Sequence, residues 1–204
     1  MYKKPLIVFE GIEGSGKTTL INFVSKYLKS KKIEFIRIRE PGGNINSEKI
    51  RKLILSKKNK FNKFTDLMLY FAARSENMEK IIKKNYKKKI ILIDRFTDST
   101  IAYQHYGMGL DKYLIDKINK YLLGNVKPNK IFLCTVNMKN LKRRLNLRKT
   151  KNRYDNFKVN FYSKVQTGFL KISTNKKNFV IIDSNRNLYE NKKKVLNNIL
   201  KFLN

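Results

Sequence analysis

The segment Gly11-Ile-Glu-Gly-Ser-Gly-Lys-Thr18 constrains this chain more than any other. It matches the pattern G-x-x-x-x-G-K-[ST] and stands between a short apolar run, Leu6-Ile-Val-Phe9, and a stretch of helical character from about Lys17 to Lys31. In that setting the glycines let backbone N–H groups turn inward around a phosphate chain. The helix N-terminus behind them adds about half a positive charge. Lys17 would meet the β- and γ-phosphates, and the Thr18 hydroxyl would ligate Mg2+. The pattern therefore predicts a nucleoside triphosphate site made by Gly11, Ile12, Glu13, Gly14, Ser15, Gly16, Lys17 and Thr18. No N-K-x-D tetrad occurs, which argues against a guanine-reading switch.

The rest of the chain fits the fold that such a loop requires. Short apolar runs alternate with longer amphipathic stretches, the signature of an α/β protein with a parallel sheet. Five strands are expected: Leu6–Phe9, Ile33–Arg39, Lys89–Asp94, Ile131–Val136 and Phe179–Asp183. The third is an unbroken apolar run, as a strand covered on both faces needs. Helices are expected between them, among them a long one from Thr65 to about Asn85. Its run Leu67-Met-Leu-Tyr-Phe-Ala-Ala73 is apolar around most of a turn, so it is either deeply buried or faces a partner subunit. With no internal repeat and no linker, residues 1–204 read as one P-loop NTPase domain of three α/β/α layers around a five-stranded parallel sheet.

Charge is the unusual quantity: 47 Lys and Arg against 15 Asp and Glu give +32. A surface this basic attracts polyanions, but the lysines are spread along the whole chain among many Asn, Ile and Phe. That mixture reads as a solvated basic surface, with no dedicated nucleic-acid partner and no membrane partner. The single cysteine, Cys134, excludes an internal disulfide and reads as a small core residue in a strand. The single histidine, His105, reads as structural. A secretory signal needs about 7–15 consecutive apolar residues and a membrane span about 20; neither pattern occurs, so a soluble, cytoplasmic protein is expected.

Only ten of the basic residues are Arg, so their positions are informative. Arg39, Arg51, Arg74 and Arg95 fall at strand ends or on helices opening off the sheet edge that carries the glycine-rich loop, where open α/β sheets bind ligands. Arg matches phosphate oxygens with a rigid fork that Lys lacks. Asp94 ends the third strand, where its carboxylate reaches the metal or its waters.

Taken together, Phe9-Glu-Gly-Ile-Glu-Gly-Ser-Gly-Lys-Thr-Thr19, Arg39-Glu-Pro-Gly-Gly43, Phe71-Ala-Ala-Arg74 and Asp94-Arg95 with Asp98-Ser-Thr-Ile-Ala-Tyr-Gln104 resemble the bacterial thymidylate kinase family. The resemblance extends over essentially the whole chain. It implies transfer of phosphate from ATP to dTMP with Mg2+, as a step toward dTTP, by a homodimer. Glu13 would hold the deoxyribose 3′-hydroxyl, Arg39 and Arg95 would grip the acceptor phosphate, and Arg51 would lie beside the nucleotide. Tyr70 would stack on the thymine, with Arg74 on its O4. Ser99, Thr100 and Gln104 would complete the acceptor site, and Tyr103 would crowd a ribose 2′-hydroxyl. A short lid at about 148–156 would supply Arg153 or Arg148 to the transferring phosphoryl group.

Thr135 stands where many relatives carry an Asp, and the Asp183-Ser-Asn-Arg186 loop gives no clear adenine signature. Two other functions share the loop. A deoxynucleoside kinase would need a carboxylate base, for which Glu40 is available. A P-loop ATPase stimulated by nucleic acid would use the +32 charge.

Overall fold

In the computed structural model, which describes residues 3–147 and 153–203, the five expected strands are present. They are β1 (Leu6–Glu10), β2 (Phe35–Arg39), β3 (Ile90–Asp94), β4 (Lys130–Thr135) and β5 (Phe179–Asp183). All neighbours are parallel, in the order β2-β3-β1-β4-β5. All five side chains of the central strand β1 are buried, which is why Leu6–Phe9 are apolar on both faces; the fifth is Glu10.

Strand alternation divides these side chains between two layers. Ile7 and Phe9, with Leu92, Phe132 and Cys134, pack against α1 (Lys17–Ser30) and α9 (Leu188–Leu203). Leu6, Val8, Ile91 and Ile93 face the other way, against Met78 and Ile82. Burial pushes the Cys134 thiol up to about 12, so it is an inert core group, as expected. His105 is structural too: its Nδ1 lies 2.8 Å from the Leu110 carbonyl oxygen.

The remaining helices are α2 (Ile45–Leu55), α3 (Lys63–Asn77), α4 (Lys83–Asn85), α5 (Thr97–Thr100), α6 (Lys112–Leu123), α7 (Met138–Asn146) and α8 (Val159–Ser173). The long helix expected over 65–85 is continuous in path but not uniform, because a π-helical turn at Met78–Ile82 joins α3 to α4. Asn77, fully buried at that junction, explains the break. Its Nδ2 donates to the Gly42 carbonyl at 2.6 Å, and its Oδ1 accepts from the Asn44 backbone at 3.3 Å. The side chain thus pins the helix to the turn after β2 while the widened turn directs Met78 and Ile82 into the sheet. The apolar run of α3 is mostly core, with Leu67, Phe71 and Ala73 buried, but Phe64 beside it is half exposed. A second π segment, Ile101–Gly107, follows α5.

Register sets the working edge. Asp94 on β3 is flanked by Phe9 on β1 and Arg39 on β2, so the loops leaving these strands emerge side by side.

Candidate active site

The loop after β1 is built by its glycines. Gly11 has φ +135°, and a Cβ there would lie 2.2 Å from the Cys134 carbonyl oxygen, so no other residue fits. Gly16 begins α1 in the left-handed region at φ 89°, and no side chain caps that helix. By contrast α2, α3, α6 and α7 are capped by Asn44, Asn62, Asp111 and Asn137. The first amides of α1 are thereby left available to an anion. Lys17, buried, donates from Nζ to the carbonyls of Gly11 and Ile12, each at 2.8 Å. Burial and the neighbouring Arg95 lower its ammonium to about 8. Ile12 and Ser15 turn fully buried side chains inward, so their part in the loop is through the backbone.

In front of this loop opens a cleft of about 840 Å³. Among the described residues its walls carry seven cations, Lys17 and six arginines, against four carboxylates, a surplus that favours a polyanion. Arg39, Arg51, Arg74 and Arg95 all reach it, as do Glu13, Thr18, Asp94, Ser99, Thr100, Tyr103 and Gln104. These residues therefore share one continuous surface. Thr18 and Asp94 present two oxygen donors beside Lys17. That set suits Mg2+, which takes one or two protein ligands and completes its shell with phosphate and water.

Electrostatics divide the cleft. Arg95, at φ 68°, donates to Glu13 at 2.8 Å and to the Gly11 carbonyl at 2.8 Å. Tyr103 donates its phenol proton to the other oxygen of Glu13. Burial alone would raise the Glu13 carboxyl, but Arg95 and Lys17 outweigh it and hold it below its ordinary value. Burial, then the nearby Arg39, push the Arg51 guanidinium down, while Glu48, paired with Arg39 at 3.2 Å, opposes that shift.

Deeper in, the sites are preorganised. Tyr70 and Arg74, one turn apart on α3, both face the cleft. Arg74 is 2% exposed, clamped by Glu40 Oε2 at 2.8 Å and Asn119 Oδ1 at 2.7 Å, over the faces of Phe71 and Phe96. Glu40, the carboxylate nominated as a base, is thus engaged in holding Arg74. Gln104 Nε2 is buried with no hydrogen-bond partner among the described residues, and a carbonyl in the cleft would satisfy it.

Arg153 does not line this cleft: its guanidinium pairs with Asp66 on α3. Arg148, with the first part of the expected lid, lies outside the described residues. Some contributors were missed. Arg144 on α7 donates to the carbonyls of Gly14 at 2.8 Å and Ser184 at 2.7 Å, and lines the cleft. The scarcity of Arg could have flagged it. Glu10, fully buried, accepts from the Phe96 and Ser99 amides at 2.8 and 3.2 Å and so holds the turn that carries Arg95. Burial, then the Asp98 charge, raise its carboxyl to about 7.

Comparison with known proteins agrees with this geometry. A family model described as thymidylate kinase matches residues 9–195. The thymidylate kinase of Sulfurihydrogenibium sp. (strain YO3AOP1) is 41% identical, over 90% of this chain and 91% of that protein. That of Thermosipho africanus (strain TCF52B) is 38% identical, over 89% and 90%. A crystal structure of thymidylate kinase from Ehrlichia chaffeensis superposes with a TM-score of 0.78 at 32% identity, over 97% of this chain and 98% of that one.

Proposed function

This chain belongs to the thymidylate kinase family, and on that footing we propose that it transfers the γ-phosphoryl group of ATP to dTMP, giving ADP and dTDP for dTTP synthesis, with Mg2+. The observation that carries the proposal is the clamped Arg74 beside Tyr70 at one end of a cationic cleft whose other end is the phosphate loop.

The second ionisation of a nucleoside monophosphate lies near pH 6, so dTMP is largely dianionic at neutral pH and needs no general base. What remains for the protein is to hold two anions in line and offset their repulsion. Arg39 and Arg95 would grip the acceptor phosphate, Arg51 would lie beside it, and Glu13 would take the 3′-hydroxyl. Tyr70 would stack on the base, Arg74 and Gln104 would bond its carbonyls, and Ser99 and Thr100 would close the pocket. Tyr103, anchored to Glu13, would leave no room for a ribose 2′-hydroxyl. On the donor side Gly11–Thr18 would wrap the triphosphate, Lys17 would turn from its loop carbonyls to the phosphates, and Arg144 would border the nucleotide. Thr18 and Asp94 would hold Mg2+, which supplies charge neutralisation on the phosphates when bound. Arg153 would reach the transferring group only after parting from Asp66, and Arg148 is the other candidate for that role.

The 204 residues are read as one domain with a short lid at about 148–156, supported by the single sheet that gathers all five strands. A homodimer is supported by α2, α3 and the loop between them, which leave Leu53, Phe64 and Phe61 exposed. A cytoplasmic site of action is proposed, with no dedicated nucleic-acid partner: the arginines lining the cleft converge on it while the lysines are dispersed. Among the described residues, no helix is long and apolar enough to cross a membrane. Steady-state rates across the nucleoside monophosphates, with thymidine and DNA as competitors, test the reading. dTMP should lead; turnover of thymidine alone, or ATP hydrolysis driven by DNA, would replace it.

A further inference from the structure

Tyr70 reaches across 84 residues of sequence to meet Tyr154 phenol to phenol, at 2.6 Å, and both rings line the cleft. The direction of this bond follows from the partners. A guanidinium only donates and a carboxylate only accepts. Arg153 donates to Asp66 Oδ1 and, at 3.2 Å, to the Tyr154 phenol oxygen. Tyr154 gives its own proton to Asp66 Oδ2, also at 3.2 Å. Its oxygen therefore accepts from Tyr70. Both Asp66 and Tyr154 are 3% exposed, so water competes little for these bonds.

Tyr154 is in turn fixed by its neighbours. Its backbone carbonyl accepts from the Tyr162 hydroxyl at 2.5 Å, and its ring lies edge-on to Tyr103 with centroids 5.9 Å apart. The residue thus touches both the ring assigned to the base and the ring assigned to the sugar. Nothing in the mechanism above uses it.

We propose that Tyr154, anchored by the Asp66–Arg153 pair, is a positioning residue for the acceptor nucleotide: it fixes the ring plane of Tyr70 so that the stacking surface is formed before the base arrives. A phenylalanine at 70 would stack as well but would be free to rock about its side-chain torsions. The hydroxyl of Tyr70 therefore serves orientation. This inference rests on the reading of Tyr70 as the base-stacking residue, and the test separates the two.

The test is the Michaelis constants for dTMP and ATP in wild type, Tyr70→Phe, Tyr154→Phe and the double variant, with a melting curve for each. Loss of one buried hydrogen bond of ordinary strength predicts a rise of about fivefold in KM for dTMP in either single variant. KM for ATP and kcat should stay within about twofold, and the double variant should be no worse than the poorer single one. An unchanged KM for dTMP in Tyr154→Phe, effects that multiply in the double variant, or an equal rise for ATP would each overturn the proposal. Should Tyr154→Phe fail to fold, Tyr70→Phe alone carries the same expectation and the same refutation. Tyr70→Ala addresses the underlying reading: if it leaves KM for dTMP unchanged, Tyr70 is not the stacking residue at all.

Discussion

Replacing Glu40 with Gln isolates the electrostatic clamp on Arg74. The guanidinium is 2% exposed and its Nε bonds Glu40 at 2.8 Å, so the substitution leaves a buried cation without its counter-charge. Breaking a buried pair by removing one partner costs about 3–5 kcal/mol. Gln keeps an acceptor oxygen for the Nε–H, and Asn119 still bonds Nη1, so about 3 kcal/mol is the figure to expect. At about 2–4 °C per kcal/mol for a chain of this size, the melting temperature should fall by about 6–12 °C. Lys112–Asp116 is the internal control: both side chains are nearly half exposed, and an exposed i,i+4 pair contributes only about 0.3–0.5 kcal/mol. Asp116→Asn should therefore move the melting temperature by no more than about 2 °C. Function is read by coupling ADP release to an absorbance change. A loosened Arg74 should raise KM for dTMP about tenfold, equivalent to about 1.4 kcal/mol, with KM for ATP nearly unchanged. If Glu40→Gln melts with the control, or raises both constants alike, the clamp does not hold Arg74 for the acceptor.

Other sites give further expectations. Gly11→Ala should yield an insoluble or inactive protein, because the added Cβ meets backbone at 2.2 Å, whereas Gly109→Ala, which meets nothing within 4 Å, should cost only about 1–2 kcal/mol for its left-handed φ; equal activities for the two would contradict the loop geometry. Lys17 is charged below about pH 8 and loses its proton above it, so kcat/KM for ATP should fall about tenfold per pH unit beyond that point; a profile flat to about pH 9.5 would refute the assignment. Tyr103→Ala should reduce the preference for dUMP over UMP by at least about tenfold, and an unchanged ratio would remove Tyr103 from sugar selection.

The sheet was legible because each strand is a short apolar run bounded by turn residues, and β3 needs no context to be recognised. Part of the cleft was legible for a different reason: Arg39, Asp94 and Arg95 sit at or just past strand ends and Tyr70 and Arg74 at i, i+4 on α3, so topology brings them together. Tyr154 and Arg144 were not, since their roles come from contacts with Tyr70 and Gly14 that span 84 and 130 residues. No local period encodes such a pairing. Arg153 shows the same limit from the other side. A basic stretch between helices reads as a source of charge for phosphate, while Asp66, far away in sequence, takes up that arginine. The π segments at Met78–Ile82 and Ile101–Gly107 follow from tertiary demands, Asn77 pinning one and the cleft drawing Tyr103 and Gln104 from the other.

A crystal structure with dTMP and a non-hydrolysable ATP analogue bound together is the most direct measurement. The two phosphate chains should meet end to end, with the dTMP phosphate on Arg39 and Arg95, its base flat against Tyr70, and a base carbonyl on Arg74. A monophosphate bound elsewhere, or lying in the cleft with Arg74 and Arg95 making no contact to it, would contradict the account.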